Sequence, residues 1–136
     1  MLVFVKKAII LILIGLCTPK MILAKKLCND SIIGANLIKK AEAIVNQKSK
    51  YDSAVIYLKE ALPYLENCEQ DELFVFALNG IMLSYYRADI LDSTRKYSAL
   101  AMKIARERLP ETSDVYLSAL NNLGVFRYRT GDYQGA

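Results

Sequence analysis

Antiparallel α-helix pairs stacked one on the next, an all-α solenoid, are the fold this sequence predicts. Three observations carry that expectation. Beyond residue 30, apolar residues recur at helical spacing in successive segments, and no alternating strand pattern competes. Short polar breaks separate the segments, which turns each helix back on its predecessor. The chain also repeats itself at an offset of 40 to 42 residues, so that like faces follow one another along it. A lone helix pair cannot bury its apolar stripe, and stacking neighbours supply the missing core.

The first segment stands apart from that fold. Lys6 and Lys7 precede the apolar run at positions 8–17, which ends at Thr18-Pro19. Ten apolar residues are too few to span a hydrocarbon layer of roughly 30 Å as a helix. The order of basic, apolar and small residues predicts a secretory signal peptide over residues 1–24, cleaved after Ala24. Retention as an uncleaved anchor is the alternative. Residues 25–136 are then the repeat region.

Asn29-Asp30-Ser31 supplies N-cap chemistry for a first helix whose stripe is Ile33, Leu37, Ile38, Ala41, Ile44 and Val45. A second helix starts at Tyr51, carries Ala54, Leu58, Ala61, Leu62 and Leu65, and ends near Asn67-Cys68. Pro63 removes one donor there and is expected to distort the last turns. The third starts at Asp71 and carries Phe74, Leu78, Ile81, Met82 and Tyr85. A fourth, Ile90 to Leu109, carries Thr94, Tyr97, Ala101, Ile104 and Ala105 and stops at Leu109-Pro110. Thr112, Ser113 or Asp114 caps a fifth with Leu117, Leu120, Leu123 and Gly124. Gly131-Asp132 turns the chain into a sixth, which would leave Leu120, Leu123 and Tyr133 short of a covering helix.

Ala77-Leu78-Asn79 matches Ala119-Leu120-Asn121 at an offset of 42, and Tyr86-Arg87 matches Tyr128-Arg129 at the same offset. Ala54 and Ala61 fall 40 residues before Thr94 and Ala101, and Thr94 falls 42 before Ala136. The segment from Ala119 to Ala136, with Leu123-Gly124, the turn Gly131-Asp132-Tyr133 and the small Ala136, resembles the first helix and turn of a tetratricopeptide repeat. Tyr51-Asp52-Ser53-Ala54 followed by Ala61-Leu62 resembles that turn and second helix upstream. The long period and the linker Leu109-Pro110-Glu111-Thr112-Ser113-Asp114-Val115 are similar to the kinesin-light-chain-like variety. Glu42 and Met82 stand where that family prefers a small residue, Thr94 replaces its alanine and Arg127 an aromatic.

The resemblance implies a right-handed α-solenoid over residues 32–136, in which the first helix of each pair lines a concave groove. It thereby points to Asn36, Lys39, Asn79, Tyr86, Arg87, Asn121, Asn122, Tyr128 and Arg129 as contacts for a protein or an extended peptide. Asparagine amides suit a peptide backbone, and tyrosine beside arginine offers stacking and carboxylate pairing. An ordinary solvated face is the alternative for any one of them.

Chemistry is scarce. The absence of His removes the commonest general base and metal ligand, and no phosphate loop or activated nucleophile is present. No enzyme, cofactor or metal site is expected. Glu66, Glu69, Asp71 and Glu72 read as a solvated helix connection, with Asp71 and Glu72 favourable at a helix start. Tyr51, Tyr57, Tyr64, Tyr85, Tyr97 and Tyr116 read as packing residues. The net charge of +4 belongs largely to the leader, and residues 25–136 carry 15 basic against 14 acidic side chains. A nearly neutral chain lacks the field of a nucleic-acid binder.

The function expected is an exported, periplasmic or secreted, non-catalytic scaffold for proteins or peptides. Membrane association would follow only from an uncleaved leader or a downstream segment. The alternative is the sensory or regulatory front of a larger signalling receptor or peptidase. Cys28 and Cys68 would be the two thiols left after cleavage, and antiparallel packing is expected to bring them together as a disulfide. Two small buried cysteines are the other reading.

Overall fold

The computed structural model describes residues 18–45, 47 and 50–132, with side chains from Asn29 onward. All of their regular structure is helical: α1 (Thr18–Val45), α2 (Tyr51–Glu66), α3 (Asp71–Arg87), α4 (Leu91–Arg108) and α5 (Asp114–Thr130). Each helix packs on the next in chain order, and α3 touches both α1 and α5. The apolar run at 8–17, Tyr133, Ala136 and the sixth helix lie outside the described residues.

Four of the helix starts, at Tyr51, Asp71, Leu91 and Asp114, lie within a residue or so of where the sequence places them. Ser113 is the fifth helix's cap, its Oγ accepting from Tyr116 N at 3.1 Å. Three of the helices end in one device. The amides of Gln70, Ile90 and Asp132 reach back to the carbonyls of Leu65, Tyr85 and Arg127, while Glu69, Asp89 and Gly131 stand at positive φ of 52°, 60° and 77°. This is the left-handed stop that satisfies the last carbonyls of a helix. Pro63 is taken into α2 without ending it, and the helix runs on to Glu66.

The first helix corrects the sequence reading. It begins at Thr18, so Asn29-Asp30-Ser31 lie inside it rather than at its start. Nothing in Ala24-Lys25-Lys26-Leu27 opposes a helix, since these are good helix formers and propensity carries the backbone upstream. The expected cleavage point and Cys28 therefore fall within α1, and the side chain of Cys28 lies outside the described residues. Among the residues whose side chains are described, Gly34, Leu37, Ile38 and Ala41 are buried, three of them on the expected stripe. Ile33 is a second correction: it is 43% exposed.

The core has two parts. Leu37, Ile38 and Ala41 of α1 meet Ala54, Leu58, Ala61 and Leu65 of α2, Phe74, Leu78 and Ile81 of α3 and Ala101 of α4. Val75 of α3, Met102 and Ala105 of α4 and Tyr116, Ala119 and Leu123 of α5 form the other. The fifth stripe is thus rotated from the expected one. Tyr116, Ala119, Leu123 and Phe126 are inside, whereas Leu117 and Leu120 face outward. Leu117 and Leu120 lie on the face that no described helix covers.

Buried hydroxyls are satisfied locally. Thr94 Oγ1 donates to Ile90 O at 2.9 Å and Ser84 Oγ to Gly80 O at 2.9 Å, which lets both sit in the core. Thr94 therefore costs little in the core.

Candidate functional site

Among the described residues, a cleft lies between α1 and α3. Those two helices touch sparingly, and their separation opens a cleft floored by Leu58 of α2. One half, about 190 Å³, is walled by Ala41, Glu42 and Val45 on α1 and by Phe76, Gly80, Leu83 and Arg87 on α3. The other, about 220 Å³, is walled by Ala35, Ile38, Lys39 and Glu42 against Leu73 and Phe76. Phe76, 40% exposed, and Glu42 divide the two halves. Each half is smaller than the roughly 300 to 1,000 Å³ of sites that swallow a small molecule. The size suits single side chains of a longer ligand.

Gly80 deepens the cleft, since a Cβ there would stand 3.0 Å from Leu58 Cδ1. A side chain would fill the space that α3 leaves above α2. Charged groups sit at the rim: Lys39 and Glu42 toward one half, Arg87 at the far end of the other.

The expected contact residues divide into groups. Lys39 and Arg87 border the cleft, and Asn36 is exposed on α1 nearby in sequence. Asn79 turns the other way and is buried, 5% exposed, with Oδ1 lacking a hydrogen-bond partner. Tyr86 and Arg129 are engaged with each other. The Arg129 guanidinium lies 4.6 Å from the Tyr86 ring centre, donates to Tyr86 O at 3.4 Å and pairs with Asp89 Oδ1 at 2.7 Å. Together they clasp the end of α5 to the end of α3.

Asn122 Nδ2 is buried and also lacks a partner. Asn79 and Asn122 are separated by the same 43 residues as Tyr86 and Arg129, two helical turns upstream on the same two helices. An orphaned acceptor and an orphaned donor thus lie at one level of the α3–α5 contact. Asn121 and Tyr128 are exposed on the outer face of α5.

Two further clusters tie helices together. Lys59 Nζ donates to Tyr85 Oη at 3.0 Å and lies 5.4 Å from the ring centres of both Tyr85 and Tyr97, which stack at 5.7 Å. The Tyr85 hydroxyl raises the Lys59 pKa above its ordinary value, against a smaller desolvation effect. Arg108 joins the far end, 3.2 Å from Asp71 Oδ1, 3.9 Å from Glu66 Oε1 and 5.7 Å from the Phe74 ring centre. Glu66 and Asp71 of this solvated connection thus also pair with α4.

Among the described residues, no group of three or more acidic or cysteine side chains is close enough to hold a metal ion, and no helix is long and apolar enough to cross a membrane. No family model, no curated protein and no solved structure matches this chain.

Sequence reasoning missed Phe76, Glu42, Leu73 and Leu83. A signal was present: α3 is apolar nearly all round, DELFVFALNGIMLSYYR, which is more than one stripe requires. Phe76 and Leu83 lie off the expected stripe.

Proposed function

We propose that this chain is an exported, non-catalytic binding scaffold of the tetratricopeptide kind, a right-handed α-solenoid of two and a half helix pairs. On this reading it holds an extended segment of another protein in the α1–α3 cleft. The observation that carries it is the pair of apolar subsites on either side of Phe76, one of them floored by Leu58, with Lys39, Glu42 and Arg87 at the rim. An extended chain points alternate side chains the same way about 7 Å apart, so a ligand can drop two apolar side chains astride Phe76. Its own charges then meet Lys39 and Arg87. Recognition is by shape and hydrogen bonding to a preformed surface, with no covalent step.

Peptide display on the full chain tests this reading. Enriched peptides should carry apolar residues two positions apart and should lose binding to Phe76→Asp and Arg87→Glu variants that remain folded. Selection of peptides indifferent to both changes would refute the cleft.

A further inference from the structure

The outer face of α5 repeats the face by which α3 holds α5. At an offset of 42, Val75, Leu78, Asn79 and Tyr86 of α3 become Leu117, Leu120, Asn121 and Tyr128 of α5. On α3 these side chains are covered: Val75 and Leu78 are fully buried, Asn79 is buried, and Tyr86 lies under Arg129. On α5 their counterparts are open, with Leu117 49%, Leu120 45% and Tyr128 68% exposed. The apolar positions remain apolar and the asparagine and tyrosine are identical. A face that only had to be wet has no reason to repeat that pattern.

The neighbouring groove repeats as well. α4 packs against Leu78, Ile81 and Tyr85 of α3, whose counterparts at the same offset are Leu120, Leu123 and Arg127. Leu123 and Arg127 line an open groove with Ala99 and Met102 of α4. Gly124 adds room, because nothing lies within 4 Å of where its Cβ would stand.

We infer that this end of the molecule continues the α3–α5 and α3–α4 interfaces by one step and is a docking surface for a partner protein that presents a helix pair built like α4–α5. One partner helix runs parallel to α5 and sets an arginine over Tyr128 as Arg129 sits over Tyr86. The other lies in the groove floored by Leu123. The α5 face carries no formal charge at 117, 120, 121, 124, 125 or 128, while the groove beside it is lined by Lys103, Arg106, Glu107 and Arg127, so apolar contact and the tyrosine–arginine stack set the fit on α5 and charge pairing sets it in the groove. A second copy of this chain does not offer the matching faces. Its own α4 and α5 already spend them on α3. The inference goes beyond the proposed peptide cleft, which lies between other helices, and stands whether or not that cleft binds.

The test supplies the helix pair as a tether. Residues 95–132 are duplicated directly after Ala136 of the full chain, which keeps the period because Thr94 corresponds to Ala136. The expected result is a melting midpoint several degrees higher and a several-fold slower nitration of Tyr128. Leu120→Lys should leave the parent chain's stability unchanged, since that side chain is exposed there, and abolish the gain in the extended one. Glutamate in place of the duplicate's counterpart of Arg129 should cut the gain. An extended chain with unchanged midpoint and unchanged Tyr128 reactivity would overturn the inference, whether or not its helix content rises. So would a parent chain that sediments as a dimer and is dissociated by Leu120→Lys, because a second copy would then own the surface.

Discussion

Alanine at Gly34 puts a methyl carbon 2.7 Å from Leu65 Cδ2 and 2.8 Å from its Cγ, with Ala61 O at 3.5 Å. Leu65 is fully buried, so it has no solvent to swing into. Two effects oppose each other. Removing a helical glycine gains about 1 kcal/mol of helix propensity. Forcing an extra methyl into a closed core costs about 1 to 3 kcal/mol. Gly34→Ala should therefore lose up to about 2 kcal/mol, whereas Gly124→Ala, with nothing within 4 Å, keeps the whole propensity gain. The difference between the two variants is the crowding alone. Urea unfolding followed by circular dichroism measures it, with the midpoint moving and the slope held. For a domain of this size 1 kcal/mol moves the thermal midpoint by roughly 4 °C. Combining Gly34→Ala with Leu65→Ala should show favourable coupling, since the truncated leucine makes the space the methyl needs. If Gly34→Ala stabilised the chain as much as Gly124→Ala, the close α1–α2 crossing would be wrong.

Ser113→Ala should cost about 1 kcal/mol in the same assay by leaving Tyr116 N without its cap. Glu69→Gly should stabilise by up to about 1 kcal/mol, because its φ of 52° suits glycine better than a side chain; no gain would mean the turn relaxes. The raised Lys59 pKa gives stability that is complete below 10.5 and is lost as pH rises through the higher folded value. Lys59→Met should flatten that alkaline decline in unfolding curves taken between about pH 9 and about pH 11. If the leader is removed and the compartment oxidises, the mature chain should begin at or near Lys25. Its mass would then be two hydrogens below the reduced form, with Cys28 joined to Cys68; two titratable thiols in the unreduced, denatured monomer would refute the bridge.

Turn chemistry and stripe period made most helix limits legible, because caps and left-handed stops act within a few residues. Ser113, Gly131 and the starts at Tyr51 and Asp71 needed no tertiary information. The start of α1 was misread because cap residues are permissive: Asn29-Asp30-Ser31 can begin a helix or ride inside one. The stripe of α5 was misread for a different reason. Leucine is the stronger apolar signal, yet what α3 and α4 leave open accepts Tyr116 and Ala119, while Leu117 and Leu120 go to the face beyond. The cleft depended on the same kind of choice. The all-round apolarity of α3 marks Phe76 as surplus to one stripe, but its place in a cleft comes from the distance between α1 and α3, a relation between segments far apart in the chain. Likewise the repeated tyrosine and arginine were visible, but that Arg129 would reach Tyr86 required the two helices to lie side by side.

The division of the core into two parts, with α3 and α4 contributing to both and Ile104 leaning on each, has a consequence for how the molecule opens. Amide protons of α5 can exchange through an event that peels that helix away while the contacts among α1, α2 and α3 stay closed. Protection against deuterium should then grade along the chain, deepest around Leu58, Leu65, Leu78 and Ile81 and shallowest toward Thr130. Breathing of that kind keeps one end of the molecule ready to repack around something new while the other holds its shape.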